Sequence, residues 1–188
     1  AKLFENLRYV IIDELHAFLD ALHDETDARL VILRGAGRGF CSGLDLREQT
    51  GGGATVRPSV SASLRGQHKI AELVIKMRRV PQPFIALVHG AAAGGGFALV
   101  LASDIRIAGE SARMNAAFIR IGLGACDIGS SYFLPRIVGA SVASELLLTG
   151  NFIEAPRALQ TGLVSRVVPD AELERAGREM AEAILRNS

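Results

Sequence analysis

Residues 84–103 constrain the fold of this chain more than any other part of the sequence. This stretch is almost free of charged side chains and is about as long as a membrane-spanning helix. However, it contains His89, a run of small residues and three consecutive glycines at 94–96, which do not suit a membrane span. We therefore predict a buried strand over 83–89, a glycine turn and a buried helix over 97–102, and no contact with a membrane.

Predicted helices and strands alternate along the rest of the chain, because apolar residues recur first with helical spacing and then in short continuous runs. The predicted helices cover 10–22, 67–79, 142–148 and 171–185, and the remaining strands cover 29–34 and 105–108. Residues 50–65 are rich in Gly, Ser and Thr and are predicted to form a loop or lid. This order indicates right-handed β-α-β units, so the fold class is α/β with a mostly parallel sheet flanked by helices.

Composition excludes several classes of function. The chain has 188 residues, enough for one domain with its own core, and its formal net charge is +1. This balance argues against a nucleic-acid partner, because such binding needs a basic face. Cys41 and Cys126 lie far apart without metal-ligand spacing, so we predict neither a disulfide framework nor a metal site. Reduced cysteines fit the cytoplasm, which is the location we expect.

Two segments share one design, in which a buried strand runs into a glycine turn: FCSGLDL at 40–46 and HGAAAGGGFAL at 89–99. Glycine permits a sharp turn, and a helix start leaves N–H groups unpaired. Two such turns that face each other can donate two N–H groups to one oxygen and so stabilise an oxyanion or enolate. Tight packing of strand against helix is the alternative interpretation. Gly96 is followed by Phe97 and not by Lys, which argues against a nucleotide phosphate loop.

These two motifs resemble the two oxyanion motifs of the crotonase family, the enoyl-CoA hydratase/isomerase proteins. The resemblance covers roughly residues 7–186 and consists of five blocks in the family's order. The blocks are FCSGLDL (40–46), HGAAAGGGFALVLASDIRIA (89–108), NAAFIRIGLGACDIGSSYFLPRIVG (115–139), SELLLTG (144–150) and ALQTGLVSRVV (158–168). The resemblance implies a crotonase-like spiral of β-β-α units, an acyl-CoA substrate, no cofactor besides the CoA of that substrate, and a homotrimer or hexamer.

The resemblance also assigns roles to single positions. It places the two oxyanion-hole donors on the backbone N–H groups of Leu44 and Gly95. Hydratases of this family use two glutamates, and Ala98 and Phe118 stand at the matching positions. Neither side chain can transfer a proton, so activation of water by two carboxylates is not expected. Ala98 and Phe118 are instead assigned to the substrate pocket.

Asp127 is the carboxylate that remains in this neighbourhood, within a glycine-rich turn. Dienoyl-CoA isomerases, which the segment resembles, carry a proton-transferring Asp at this place, and the similar 4-chlorobenzoyl-CoA dehalogenase carries a nucleophilic one. The alternative interpretation is a helix N-cap, because an Asp side chain accepts hydrogen bonds from exposed N–H groups. For Asp45, next to Leu44, local hydrogen bonding within the turn is expected.

The resulting hypothesis is an enoyl-CoA hydratase/isomerase-like enzyme that stabilises a thioester enolate. Isomerisation is favoured over hydration, with Asp127 moving the proton. Two alternatives stay open: a non-catalytic acyl-CoA-binding protein, and a CoA-thioester hydrolase or dehalogenase with Asp127 as nucleophile. Residues 1–188 are predicted to form a single core domain, and the family's N-terminal hairpin and C-terminal trimerisation helices are expected to lie outside it.

Overall fold

Strands and helices alternate along the chain, as predicted, in a computed structural model that describes residues 2–3, 9–25, 27–44, 59–124, 126 and 128–187. The strands are β1 (Lys2–Leu3), β2 (Val31–Gly35), β3 (Phe84–Val88), β4 (Ala91–Ala93), β5 (Ile105–Gly109), β6 (Arg113–Asn115), β7 (Ile153–Glu154) and β8 (Arg166–Val168). The helices are α1 (Tyr9–Asp24), α2 (Val60–Arg79), α3 (Gly95–Ala102), α4 (Ser130–Val138), α5 (Ala140–Thr149), α6 (Ala155–Gln160) and α7 (Leu173–Leu185). Short 3₁₀ helices cover Ala117–Ile121 and Asp170–Glu172.

The framework is a sheet of parallel strands in the order β1-β2-β3-β5-β8. Strand β3 lies in its middle, with Ile85 opposite both Ile32 of β2 and Ile105 of β5. All five residues of β3 are buried. A parallel sheet is covered on both faces, which explains why this strand is a continuous apolar run without alternation.

Helices cover the two faces of the sheet and form two separate clusters of buried side chains. On one face, Leu173 and Ala176 of α7 pack with Ile85 and Leu87 of β3. Helix α7 approaches closely because Gly177 has no side chain, and a Cβ there would lie 2.6 Å from Leu87 Cδ1. On the other face, α1, α2 and α3 contribute to a larger core.

A second, smaller sheet stands beside the first, in the order β4-β6-β7. Strands β4 and β6 are parallel, whereas β6 and β7 are antiparallel. Each of two successive main-sheet strands is therefore followed by a strand of the small sheet and then by a helix. These units are β3-β4-α3 and β5-β6-α4, which confirms the predicted β-β-α order.

The predicted loop at 50–65 is wrong over its second half, because α2 already begins at Val60. Ser59 is its N-cap, and the Ser59 hydroxyl oxygen accepts a hydrogen bond from the Ala62 N–H at 3.2 Å. Capping and the absence of Gly and Pro over 60–65 outweigh the high serine content that suggested a loop. The first half of the prediction, 50–58, lies outside the described residues.

The uncharged stretch at 84–103 folds as predicted into a strand, a turn and a buried helix. It contains β3, β4 and α3, and every residue of α3 is buried. No helix in the described part of the chain has the length and apolar character that crossing a membrane requires.

Truncation of Leu73 should show how strongly the fold depends on α2. This side chain is fully buried (0% exposed), whereas Leu64 on the same helix is 56% exposed. We expect Leu73→Ala to lower the free energy of unfolding by about 3 kcal/mol, because it leaves a cavity in the core. The control Leu64→Ala should change it by less than about 0.5 kcal/mol. Urea unfolding followed by circular dichroism measures both, and equal effects would contradict the assigned burial.

Candidate active site

The two glycine turns meet, and they do so through main-chain hydrogen bonds. After β2, residues 40–43 run beside β4, with Cys41 opposite Ala92. The Cys41 N–H donates to the Ala91 carbonyl oxygen at 3.1 Å, and the Ala93 N–H donates to the Cys41 carbonyl oxygen at 2.9 Å. The Phe40 N–H donates to the His89 carbonyl oxygen at 2.8 Å. The first turn is thus fastened to the strand that leads into the second.

Glycine is required at two positions of this junction. A Cβ on Gly96 would lie 2.3 Å from the Cys41 carbonyl oxygen, which is far inside van der Waals contact. Gly43 has φ +95° and a Cβ there would lie 2.8 Å from the Ala93 carbonyl oxygen. The same Cβ position is 3.5 Å from the Gly95 nitrogen. The backbone at Gly43 therefore passes directly beside the Gly95 amide.

Gly95 is the first residue of α3, so its N–H has no acceptor within the helix. The preceding N–H, of Gly94, donates to the Asn115 carbonyl oxygen at 3.0 Å. Within the described residues, neither the Gly95 N–H nor the Leu44 N–H donates to an acceptor. The start of a helix also carries partial positive charge. The roles of these two N–H groups as ligand donors, and their convergence on one oxygen, stay predictions.

A cavity of about 110 Å³, here named the corner cavity, opens at this junction. Gly43, Leu44, Gly94 and Gly95 line it from the two turns. Apolar side chains complete the wall, among them Ile70 of α2, Phe118 and Ile121 of the 3₁₀ helix, and Ile128. Among the described residues that line the corner cavity, none has a titratable side chain. The groups there that can attract a negative charge are main-chain N–H groups and the polar side chains of Ser42 and Gln67.

The two positions assigned to the substrate pocket differ in their placement. Phe118 lines the corner cavity, and its Cε1 lies 3.9 Å from the Cβ position of Gly94. Ala98 is fully buried inside α3 and is not part of the cavity wall. The Ala98 methyl group packs against core atoms and does not reach the corner cavity. A glutamate at this position would have a longer side chain.

The predicted catalytic residue Asp127 lies outside the described residues, as does Asp45. Of the two residues that flank Asp127 in the sequence, Ile128 lines the corner cavity and Cys126 is exposed. The proton-transfer role of Asp127 and its N-cap alternative both stay predictions.

Sequence reasoning missed two groups of residues at this site. Gln67 and Ile70 line the corner cavity from α2, and their spacing along an amphipathic helix could have indicated it. Asn115 is buried, and its side-chain amide donates to the Gly150 carbonyl oxygen at 2.9 Å. Through its own carbonyl oxygen it also holds the N–H of Gly94. Nothing in the local sequence indicates this bracing role.

Arg106 is a partly buried charged residue with a structural role. Desolvation by burial lowers the pKa of Arg106, with Asp104 acting in the opposite direction. Its guanidinium donates to the carbonyl oxygens of Ser103 and Leu163. Arg106 therefore fixes the end of α3 to the β8 region and does not line the corner cavity.

A model of the protein family described as "Enoyl-CoA hydratase/isomerase" matches residues 5–188 of the chain. Among solved structures, the enoyl-CoA hydratase of Bacillus anthracis superposes with a TM-score of 0.88 at 36% sequence identity, over 96% of this chain and 67% of that one.

Curated relatives agree with this match. The Probable enoyl-CoA hydratase EchA12 of Mycobacterium tuberculosis is 44% identical over 155 residues, which are 79% of this chain and 53% of that protein. The 1,2-epoxyphenylacetyl-CoA isomerase of Escherichia coli is 35% identical over 173 residues, which are 90% of this chain and 65% of that protein. The chain thus spans between about half and two thirds of the length of these relatives.

Replacement of Gly96 should break the junction of the two turns. We expect Gly96→Ala to lower the free energy of unfolding by roughly 2–3 kcal/mol, because its methyl group would collide with the Cys41 carbonyl oxygen. Gly124→Ala is the matched control, since a Cβ there would lie 3.4 Å from Cys126 Sγ, an ordinary contact. The control should stay within about 0.5 kcal/mol of the parent in thermal unfolding. An unchanged melting temperature for Gly96→Ala would refute the close approach.

Proposed function

The chain belongs to the enoyl-CoA hydratase/isomerase family of the crotonase superfamily, and from this we propose that it is an acyl-CoA-processing enzyme that favours double-bond isomerisation. The thioester carbonyl oxygen would lie between the N–H groups of Leu44 and Gly95. The free start of α3 beside Gly43 is the observation that carries this proposal.

Two N–H groups at one carbonyl oxygen supply the main electronic effect. They stabilise negative charge on that oxygen, and this makes a proton on the α-carbon or further along a conjugated chain easier to remove. The corner cavity supports this effect because its described side chains are mostly apolar, and charge–dipole attraction is stronger where water is excluded. Polarisation of the carbonyl by the two N–H groups makes the proton easier to remove, and a separate base has to move it.

The residues at the two glutamate positions favour isomerisation over hydration. Ala98 and Phe118 cannot activate a water molecule, and addition of water needs both a base and an acid. Isomerisation needs one group that removes a proton from one carbon and returns it to another. We assign this step to Asp127.

A second candidate function is non-catalytic binding of acyl-CoA. It is favoured by the observation that the described wall of the corner cavity holds no titratable side chain. Such a wall accepts an acyl chain without acting on it, so this function requires that Asp127 does not reach the substrate.

Assembly, location and cofactor needs complete the proposal. We assign to the chain a homotrimeric or hexameric assembly, a cytoplasmic location and no cofactor apart from the CoA carried by the substrate. The first follows from the family resemblance, and the second from the absence of disulfide-framework or metal-ligand spacing between Cys41 and Cys126 in the sequence.

Substitution of Asp127 tests the catalytic proposal. We expect Asp127→Asn to lower turnover of enoyl-CoA and dienoyl-CoA substrates by about a hundredfold or more, because the amide cannot act as a base. Calorimetric binding of a saturated acyl-CoA should persist in the same variant. Spectrophotometric assays of double-bond migration measure the loss.

Asp45→Asn is the matched control, since it removes another carboxylate close to the first turn and should keep most of the turnover. Loss of turnover in Asp45→Asn with normal activity in Asp127→Asn would move the catalytic role to Asp45. Tight binding without any turnover by the parent protein would establish the binding function instead.

A further inference from the structure

A second and larger cavity lies next to the corner cavity. Its volume is about 390 Å³, and it opens between α2 and α4. Ile128 lines both cavities, which places them side by side. We name this second space the distal cavity.

One face of α2 runs along both cavities. Gln67 and Ile70 line the corner cavity, and the distal cavity continues with Val74 and Ile75 one turn further on. Positions 67, 70 and 74 recur at three- and four-residue intervals, and positions 71, 75 and 79 form the adjacent row, so together they form one broad stripe on the helix. From Ile70 to Arg79 at the end of the stripe the helix rises by about 14 Å. That length suits an extended acyl chain of medium length whose thioester lies at Leu44 and Gly95.

The middle of the distal cavity is apolar. Val74 is buried, Ile75 is 46% exposed, and the rings of Tyr132 and Phe133 meet edge to face with centroids 5.1 Å apart. Hydrophobic burial of a hydrocarbon chain against these groups contributes about 25 cal/mol per Å². This part of the wall therefore fits methylene groups.

The far end of the distal cavity is basic. Arg78 and Arg79 line it, and none of the described residues that line this cavity is acidic. Arg78 forms an ion pair with Asp104 and donates to the Ala102 carbonyl oxygen, so its charge is engaged. Arg79 forms neither an ion pair nor a hydrogen bond within the described part of the chain. Its positive charge is thus the one at this end that is left for a ligand.

The preference of helix ends for basic residues does not by itself account for Arg79. Cations near a helix C-terminus are stabilising, but α2 already carries Lys76 and Arg78 there, and these pair with Asp20 and Asp104. Arg79 is the cation of this last turn that has no carboxylate partner within the described residues, so an anion at the end of the distal cavity would pair with it.

We propose that the preferred substrates are CoA thioesters whose acyl chain ends in a carboxylate, and that Arg79 binds this carboxylate. The inference rests on the proposed function, because it needs the thioester at the two glycine turns. Ile70, Val74 and Ile75 contact the methylene groups, and the terminal carboxylate accepts hydrogen bonds from the Arg79 guanidinium. Arg79 is therefore a specificity-determining residue.

A pair of unreactive thioesters tests the proposal without depending on the reaction. Decanoyl-CoA and 9-carboxynonanoyl-CoA have chains of the same length and differ in the terminal carboxylate. Titration calorimetry at low salt measures their binding to the parent protein, to Arg79→Gln and to Arg65→Gln. Arg65 is an exposed arginine in the first half of the same helix, so the control removes the same charge from α2.

We expect Arg79→Gln to weaken binding of 9-carboxynonanoyl-CoA by roughly fivefold and that of decanoyl-CoA by less than twofold. Arg65→Gln should leave the ratio of the two affinities unchanged. High salt should reduce the effect of Arg79→Gln, because the charges are partly exposed. Equal weakening of both thioesters by Arg79→Gln, or none, would overturn the assignment to Arg79 and leave the proposed function intact. Failure of the parent protein to bind either thioester would overturn the proposed function itself.

Discussion

The structure depends on a short run of main-chain hydrogen bonds that joins residues 40–43 to strand β4. These bonds are possible only because Gly96 has no side chain, so that the Cys41 carbonyl can approach the first turn of α3. The site is therefore a product of backbone packing. The two glycine turns are held by the same contacts that hold the two sheets together, and the geometry of the predicted oxyanion hole cannot change without a change in the fold.

In this arrangement the main chain and the side chains have separate roles. Main-chain N–H groups supply attraction for negative charge, and they are insensitive to the identity of most side chains. Side chains around the corner cavity decide which atoms approach and whether a proton moves. In the proposed function, the apolar Ala98 and Phe118 at the two glutamate positions change the chemistry and leave the two main-chain N–H donors in place. Phe118 fills the wall of the cavity, while Ala98 belongs to the core.

Much of this could be predicted from the sequence. The continuous apolar run of β3 and the three glycines after it indicated a parallel sheet and a tight turn, and the helical spacing of α1 and α7 was equally clear. Helix α4 and the start of α2 are examples of what could not be predicted in the same way. Helix α4 contains Pro135 and follows a glycine-rich stretch, so its local signals oppose a helix that tertiary packing stabilises. The start of α2 depends on capping by Ser59, which the loop-like composition of residues 50–65 did not indicate.

The role of Asn115 could not be predicted from the local sequence either, because it arises from contacts with Gly94 and Gly150, which are distant in the chain.

Helix α2 has two sides with different roles. One of its sides anchors Leu73 and Met77 in the core, and the neighbouring side borders both cavities. Substitutions at positions such as Ile75 and Arg79 should therefore cost little folding free energy. If the acyl chain lies along this side of α2 as proposed, such substitutions would change the length and the end group of the accepted chain while the two glycine turns stay unchanged.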